Sequence, residues 1–440
     1  MRRASTVRGA LSGLLASALL LTSAGTASAG SGAGQDGQRG DRLQRVAYFV
    51  QWGIYARQYF VKNVATSGQA ARLTTINYAF GGISADGTCT SLDTWADFQR
   101  PVGADESVDG VADAPGQALN GNFNQLRKLK AQFPHLRVVM SLGGFTGSTF
   151  FSDVALTPQS RQKFVASCLD MFIAGNLPSG AGAGAGVFDG IDIDWEWPVN
   201  AAAEGTHARP EDRANFTLLL AEFRRQLDAL GRQAHQHYVL TAFLPADPAK
   251  IASGFEVPQI FRSLDWATVQ GYDLHGTWES TTNFQSALFS PSGDPSTPTR
   301  FSVDLAIQSY LARHAPARKL VLGVPFYSRG WTGVTNANHG LFQPSTGAAP
   351  GTFEAGVDDF KVVAARPGFQ LFRDRRDGVA WLFDGTTFWT FDDPTALREK
   401  MAYVTDHRLG GAMAWSLDAD DAQASLVRAL DAGLSDADRD

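Results

Sequence analysis

Short apolar runs recur along the chain, each followed by a polar turn and then by a longer stretch in which apolar residues return every three or four positions. This alternation predicts βα units around a parallel sheet. Eight runs qualify: VAYFVQW from Val46, LTTINYAF from Leu73, LRVVMSL from Leu136, VFDGIDID from Val187, HYVLTAF from His237, DWATVQGY from Asp265, KLVLGVPFY from Lys319 and LGGAMAWSL from Leu409. Between them, FNQLRKLKAQF, SRQKFVASCLDMFIAG and DRANFTLLLAEFRRQLDALG carry helical spacing, the last with Asp212 near its start and Gly231 as its predicted stop. DAQASLVRALDAGL supplies the last outer helix. Eight such units predict an α/β chain folded as a closed (β/α)8 TIM barrel.

A bare barrel of this kind needs about 250 residues, and the span from Val46 to Leu434 is far longer. Two segments hold the excess, Gly81 to Asn122 after the second run and Ser328 to Phe391 between the seventh and eighth. The latter contains VAWLFDGTTFWTF, in which Asp384 and Gly385 predict a hairpin turn between two strands. The expected organisation is therefore a barrel over 45–328 and 391–434, with a small α+β insertion over 329–390. SGAGAGAG, from Ser179 to Gly186, reads as a loop on the opposite rim.

The first residues stand apart from this pattern. Arg2, Arg3 and Arg8 precede the apolar run from Leu11 to Leu21, and Ala27 to Ala29 offer small residues for cleavage. A signal peptide over 1–29 is expected, followed by a polar lead-in over 30–44, because a spanning helix wants roughly 20 apolar residues. The mature protein is then secreted, extracellular and without stable membrane association. A net charge of -6 leaves no basic footprint for nucleic acid or an anionic membrane surface, so a neutral polymer or small ligand fits better. Cys89 and Cys168 either pair or remain two buried free thiols; neither has a CxxC context. His235 and His237 have no further ligands nearby in sequence, and no metal or other cofactor is expected. The expected state is a monomer.

The chemistry concentrates in FDGIDIDWEWP, Phe188 to Pro198. On a strand, Asp192, Asp194 and Glu196 share one face while Ile191, Ile193 and Trp195 share the other. The apolar face packs on helices, and the acidic face points into the barrel with Glu196 furthest toward the C-terminal mouth, where barrel enzymes do chemistry. Like charges so placed cannot all ionise in a low-dielectric interior; Asp192 and Asp194 are expected to share a proton, and a protonated Glu196 is a general acid. A calcium loop would want oxygen-bearing residues where Ile and Trp stand.

DGIDIDWE matches the D-x-x-D-x-D-x-E signature of family 18 glycoside hydrolases, the chitinases, with Asp189, Asp192, Asp194 and Glu196 in its acidic positions. The resemblance extends along the barrel. SLGG at Ser141 to Gly144 is similar to the family's third-strand motif, YDLHGTWE from Tyr272 looks like its sixth-strand segment, and GAMAWSLDAD resembles its last strand. YSRGW at Tyr327 to Trp331 and FDD at Phe391 look like the borders of the α+β insertion of its deep-cleft subgroup.

The resemblance implies a chitinase that cleaves β-1,4 links between N-acetylglucosamine units of chitin or chitooligosaccharides with retention. Glu196 is then the proton donor, and the 2-acetamido oxygen of the substrate attacks its own anomeric carbon. Asp194 holds the acetamido N–H, Asp192 supports Asp194, and Tyr272 holds the acetamido oxygen. Trp415 is expected beneath the sugar, Asp273 in the surrounding polar network, and Gly144 in close packing beside Ser141 and Gly143. Asp189 braces the loop, while Tyr327 and Arg329 reach the ligand from the seventh strand. Trp52, Phe80 and Trp197, with Trp95, Trp278 and Trp331, fall in candidate rim loops where sugar faces stack on rings. The chain departs from the family at Gln270, usually Met, and at Trp197, commonly Tyr, which puts subsite preference in question. Two competing readings share the barrel: a chitin-binding lectin, which typically lacks the acid, and an endoglycosidase for N-glycans.

Overall fold

The computed structural model describes residues 43–435. The expected signal peptide and most of the lead-in lie outside the described residues. Eight parallel strands form the main sheet: β1 (Gln44–Val50), β2 (Thr75–Ile83), β3 (Arg137–Gly143), β4 (Gly190–Asp194), β5 (Val239–Leu244), β6 (Trp266–Val269), β7 (Leu320–Pro325) and β8 (Gly411–Trp415). Each pairs with the next, and β1 also pairs with β8, so the sheet closes on itself. All eight expected strands are present, and the fold is a TIM barrel.

Most strands are buried throughout because both of their faces are covered, one by helices and one by the barrel interior. On β4 the two faces differ in chemistry. Ile191 and Ile193 face outward, and Trp195 follows them to stack on Phe151 at 5.3 Å and meet Phe216 edge-on at 5.9 Å. The opposite parity carries Asp192 and Asp194 inward. The strand ends at Asp194, so Glu196 stands just beyond it at the mouth rather than on it.

One expected helix boundary moves. The helix from Asp212 runs to Ala234, through Gly231, and stops where His235 adopts the left-handed conformation at φ 53° and donates its backbone N–H to Gly231 O. Apolar contacts along one face outweigh the local cost of a glycine inside the helix.

The segment after β2 forms an arm. Cys89–Ser91 pairs antiparallel with the end of β2, and a short π-helical turn, Trp95–Gln99, follows. Two anchors hold this arm. Cys89 and Cys168 form a disulfide with Cα atoms 4.9 Å apart, which resolves the pairing left open by the sequence. Asp97, fully buried, accepts from Gln51 Nε2 at 3.0 Å, Tyr78 Oη at 2.5 Å and Ser91 Oγ at 2.5 Å.

Between β7 and β8 lies a second, antiparallel sheet of six strands: Tyr327–Thr332, Gly347–Ala348, Val357–Asp359, Gln370–Asp374, Val379–Phe383 and Phe388–Phe391. The turn between the last two is tied by Asp384, whose Oδ1 accepts from the backbone N–H groups of Thr386 at 2.8 Å and Thr387 at 2.7 Å. This sheet has its own core, in which Trp331, Trp381, Phe383 and Phe388 pack with Phe284 and Ala287 from the long β6–β7 connection.

Candidate active site

A cavity of about 1250 Å³ opens at the C-terminal ends of the barrel strands. Asp194, Glu196, Tyr272 and Trp415 all line it, so the ends of β4, β6 and β8 meet there. Trp415 lies against Tyr48 at 4.9 Å and stacks on Phe80 at 5.8 Å and 21°, which gives the cavity a flat aromatic face. On another side, Tyr272 stacks on Phe243 at 6.0 Å, and Phe243 packs on Trp197 at 5.5 Å.

The carboxylates are treated unequally. Asp192 accepts from Tyr48 Oη at 2.7 Å, Ser141 Oγ at 2.7 Å and Thr241 Oγ1 at 2.5 Å. Burial pushes its carboxyl up and these hydroxyls pull against that shift. Asp194 has no such company: its Oδ1 is buried without a hydrogen-bond partner, and burial, then Glu196, then Asp192 push its carboxyl well above the ordinary range. Glu196 is pushed up to about 7, by burial first and by Asp273 second, with Lys250 opposing.

Neighbouring groups fix these positions. Ser148 Oγ accepts from the Glu196 backbone N–H at 2.9 Å and itself donates to a backbone carbonyl, of Gly144 at 2.9 Å or Asp194 at 3.2 Å. Asp273, at φ 54°, accepts from Tyr327 Oη at 2.6 Å and Arg329 Nε at 2.9 Å. The Tyr272 hydroxyl has no such partner among the described residues; burial first, then Tyr327 and the nearby carboxylates, raise its pKa well above the usual value, so it remains a neutral donor.

The model of glycosyl hydrolases family 18 matches residues 44–420. The chain belongs to that family. It is 37% identical over 396 residues to chitinase 63 of Streptomyces plicatus, covering 89% of this chain and 60% of that protein. Chitinase C of Streptomyces lividans is 36% identical over 405 residues, covering 90% and 61%. The chain thus spans about 60% of the length of these curated relatives. The catalytic domain of psychrophilic chitinase B from Arthrobacter TAD20 superposes with a TM-score of 0.86 at 44% identity, over 89% of this chain and 95% of that one.

The residues singled out from sequence do not all meet at the cavity. Trp52, Phe80, Trp197, Tyr327, Arg329 and Asp273 line the same cavity as the acidic row, and so does Trp278. Gly144 does not line it: at φ 80° a Cβ there would sit 2.7 Å from the Phe80 ring, so the position serves packing while Gly143 reaches the cavity wall. Trp331 is no rim residue, because it is fully buried in the core of the second sheet, and Trp95 is exposed outside the cavity. Asp189 lies before β4, at the other end of the barrel, held by Lys130 Nζ at 2.7 Å and the Val138 N–H at 2.9 Å.

Several lining or supporting residues escaped the sequence reading. Tyr48 and Thr241 face inward on β1 and β5, and strand alternation was the available signal. Ser148 and Lys250 sit on connections whose placement only the fold reveals.

Proposed function

We propose that the chain is a secreted, retaining chitinase that cleaves β-1,4 links between N-acetylglucosamine units by substrate-assisted catalysis. The observation that carries this reading is the inward row Asp192, Asp194, Glu196 ending in a carboxyl raised to about 7 at an aromatic-floored cavity. The named chitinases among its relatives support the substrate class.

Glu196 donates its proton to the glycosidic oxygen as the bond from that oxygen to C1 breaks. Asp194 and Glu196 leave neighbouring positions of one chain segment, so they do not straddle a sugar as the acid and nucleophile of an ordinary retaining enzyme do. The 2-acetamido oxygen therefore forms the new bond to C1 and closes an oxazolinium ring. Asp194 passes its proton to Asp192, accepts from the acetamido N–H and balances the developing positive charge, while three hydroxyl donors hold Asp192 in place to share that proton. Tyr272 donates to the acetamido oxygen, and Trp415 supports the sugar face. Water then attacks C1, opening the ring and returning a proton to Glu196. Export is supported by the sequence of the first 29 residues and by the disulfide.

The test is early-time anomer analysis of chitohexaose products, with Glu196→Gln in parallel. Product formed initially as the β anomer, with activity lowered about 10³-fold in the variant, is the expected outcome. Initial α product contradicts the neighbouring-group route, and undiminished hydrolysis by Glu196→Gln contradicts the assigned acid.

A further inference from the structure

Strand β6 and its continuation send Thr268, Gln270 and Tyr272 toward the barrel interior by alternation. Gln270 and Tyr272 both line the cavity, and Gln270 stands one step deeper than Tyr272 along the same row. Its backbone is held tightly: the Gln270 N–H donates to Leu244 O at 2.9 Å, and a Cβ on the next residue, Gly271, would collide with the carbonyl of Gly323. The side chain is half-buried, and its amide has no hydrogen-bond partner among the described residues. An amide with two donors and an acceptor is therefore among the groups lining the cavity, as is the apolar ring of Phe243.

The next step rests on the proposed function. Asp194 and Tyr272 draw the 2-acylamino group of the bound sugar inward, so its acyl end is the part that lies below Tyr272 and approaches Gln270. An acetyl methyl group there covers the amide without satisfying it, which is unfavourable. A hydroxyl on the same carbon supplies the missing partner. We propose that Gln270 is a specificity-determining residue that adapts this site to β-1,4-linked sugars bearing a hydroxylated acyl group, N-glycolylglucosamine, alongside the N-acetyl form.

The experiment uses 4-nitrophenyl β-glycosides of a chitobiose-type disaccharide in which the sugar bearing the nitrophenyl group carries an N-acetyl, N-glycolyl or N-propionyl group. Glycolyl and propionyl have the same number of heavy atoms and differ at one terminus, hydroxyl against methyl, so their ratio isolates the hydroxyl. The full-length mature enzyme is expected to show kcat/KM about tenfold higher for N-glycolyl than for N-propionyl, the size of one hydrogen bond. Gln270→Met is expected to bring that ratio to one or below, raising the N-acetyl and N-propionyl rates as it lowers the N-glycolyl rate. A wild-type ratio at or below one overturns the proposal without any variant, and so does an unchanged ratio in Gln270→Met. Should that variant fold poorly, Gln270→Leu and the wild-type ratio decide. Absence of cleavage of the N-acetyl substrate is a separate outcome: it defeats the chitinase reading, and the Gln270 proposal falls with it.

Discussion

Glu196 reaches its mouth position on a chain segment that leaves it few ways to ionise cheaply. Burial and the negative charge of Asp273 hold its carboxyl up to about 7, and Lys250 is the cation that limits the shift. The proposed proton donor must carry its proton, so raising the pH through this value is expected to remove the active form. We expect kcat/KM on chitooligosaccharides to fall tenfold per pH unit above about 7, and Lys250→Met to move that limb to higher pH, measured by initial rates from pH 4 to 10. A limb that stays in place in Lys250→Met would contradict the assigned influence. At this scale the sequence was informative where a period-two row of acids met an apolar row, which placed Asp192, Asp194 and Glu196 without knowledge of the fold. It could not show that Tyr48, Ser141 and Thr241 would all spend their hydroxyls on Asp192, because those donors come from three other strands.

Among elements, the arm after β2 shows how a long connection becomes part of a cleft wall. Leu92 and Asp93 line the cavity from this arm, and Cys89 ties its first strand to Cys168 across 79 residues of sequence. Closing a loop of that length restricts the unfolded chain, so the Cys89→Ser/Cys168→Ser variant is expected to lose about 2–4 kcal/mol of stability in urea unfolding. The loosened arm is also expected to raise KM for chitohexaose more than it changes kcat. Equal loss on every substrate would show that the disulfide serves stability alone. The arm holds a second, pH-dependent anchor. Burial raises Asp97 from 3.8 to about 7, against the hydrogen bonds of Ser91, Tyr78 and Gln51. A carboxyl raised on folding favours the folded state fully below pH 4, and that contribution is lost as pH climbs to 7. The length of this connection was legible from sequence, as were all eight strands. Its anchoring was not, since pairing of two cysteines and burial of one aspartate depend on which helices pack behind β2.

Across the whole molecule, the cleft needs two separately cored bodies held in register, a barrel and a second sheet. The junction contains a fully buried ion pair: Lys400 Nζ, on the helix Pro394–Asp406, lies 2.5 Å from Asp392 Oδ2, and Ser286 Oγ donates to Asp392 Oδ1 at 2.7 Å. Asp392 directly follows the last strand of the second sheet, and Ser286 belongs to the β6–β7 connection that fills that sheet's core. The pair thus joins the insertion's exit, an outer barrel helix and the connection packed under the wall. Its energetics are lopsided. Both charges have lost water, so their attraction largely offsets desolvation, whereas removing one partner strands the other in a dry site. Asp392→Asn is therefore expected to cost about 3–5 kcal/mol in denaturant unfolding, while the double variant Asp392→Leu/Lys400→Met should recover most of that loss. If the pair also sets the wall against the barrel, the recovered double variant will still show a raised KM for chitohexaose and an unchanged KM for a short nitrophenyl disaccharide, which reaches fewer wall residues. A double variant with wild-type KM on both substrates would confine the pair to stability and leave wall placement to the apolar core around Trp331 and Phe284.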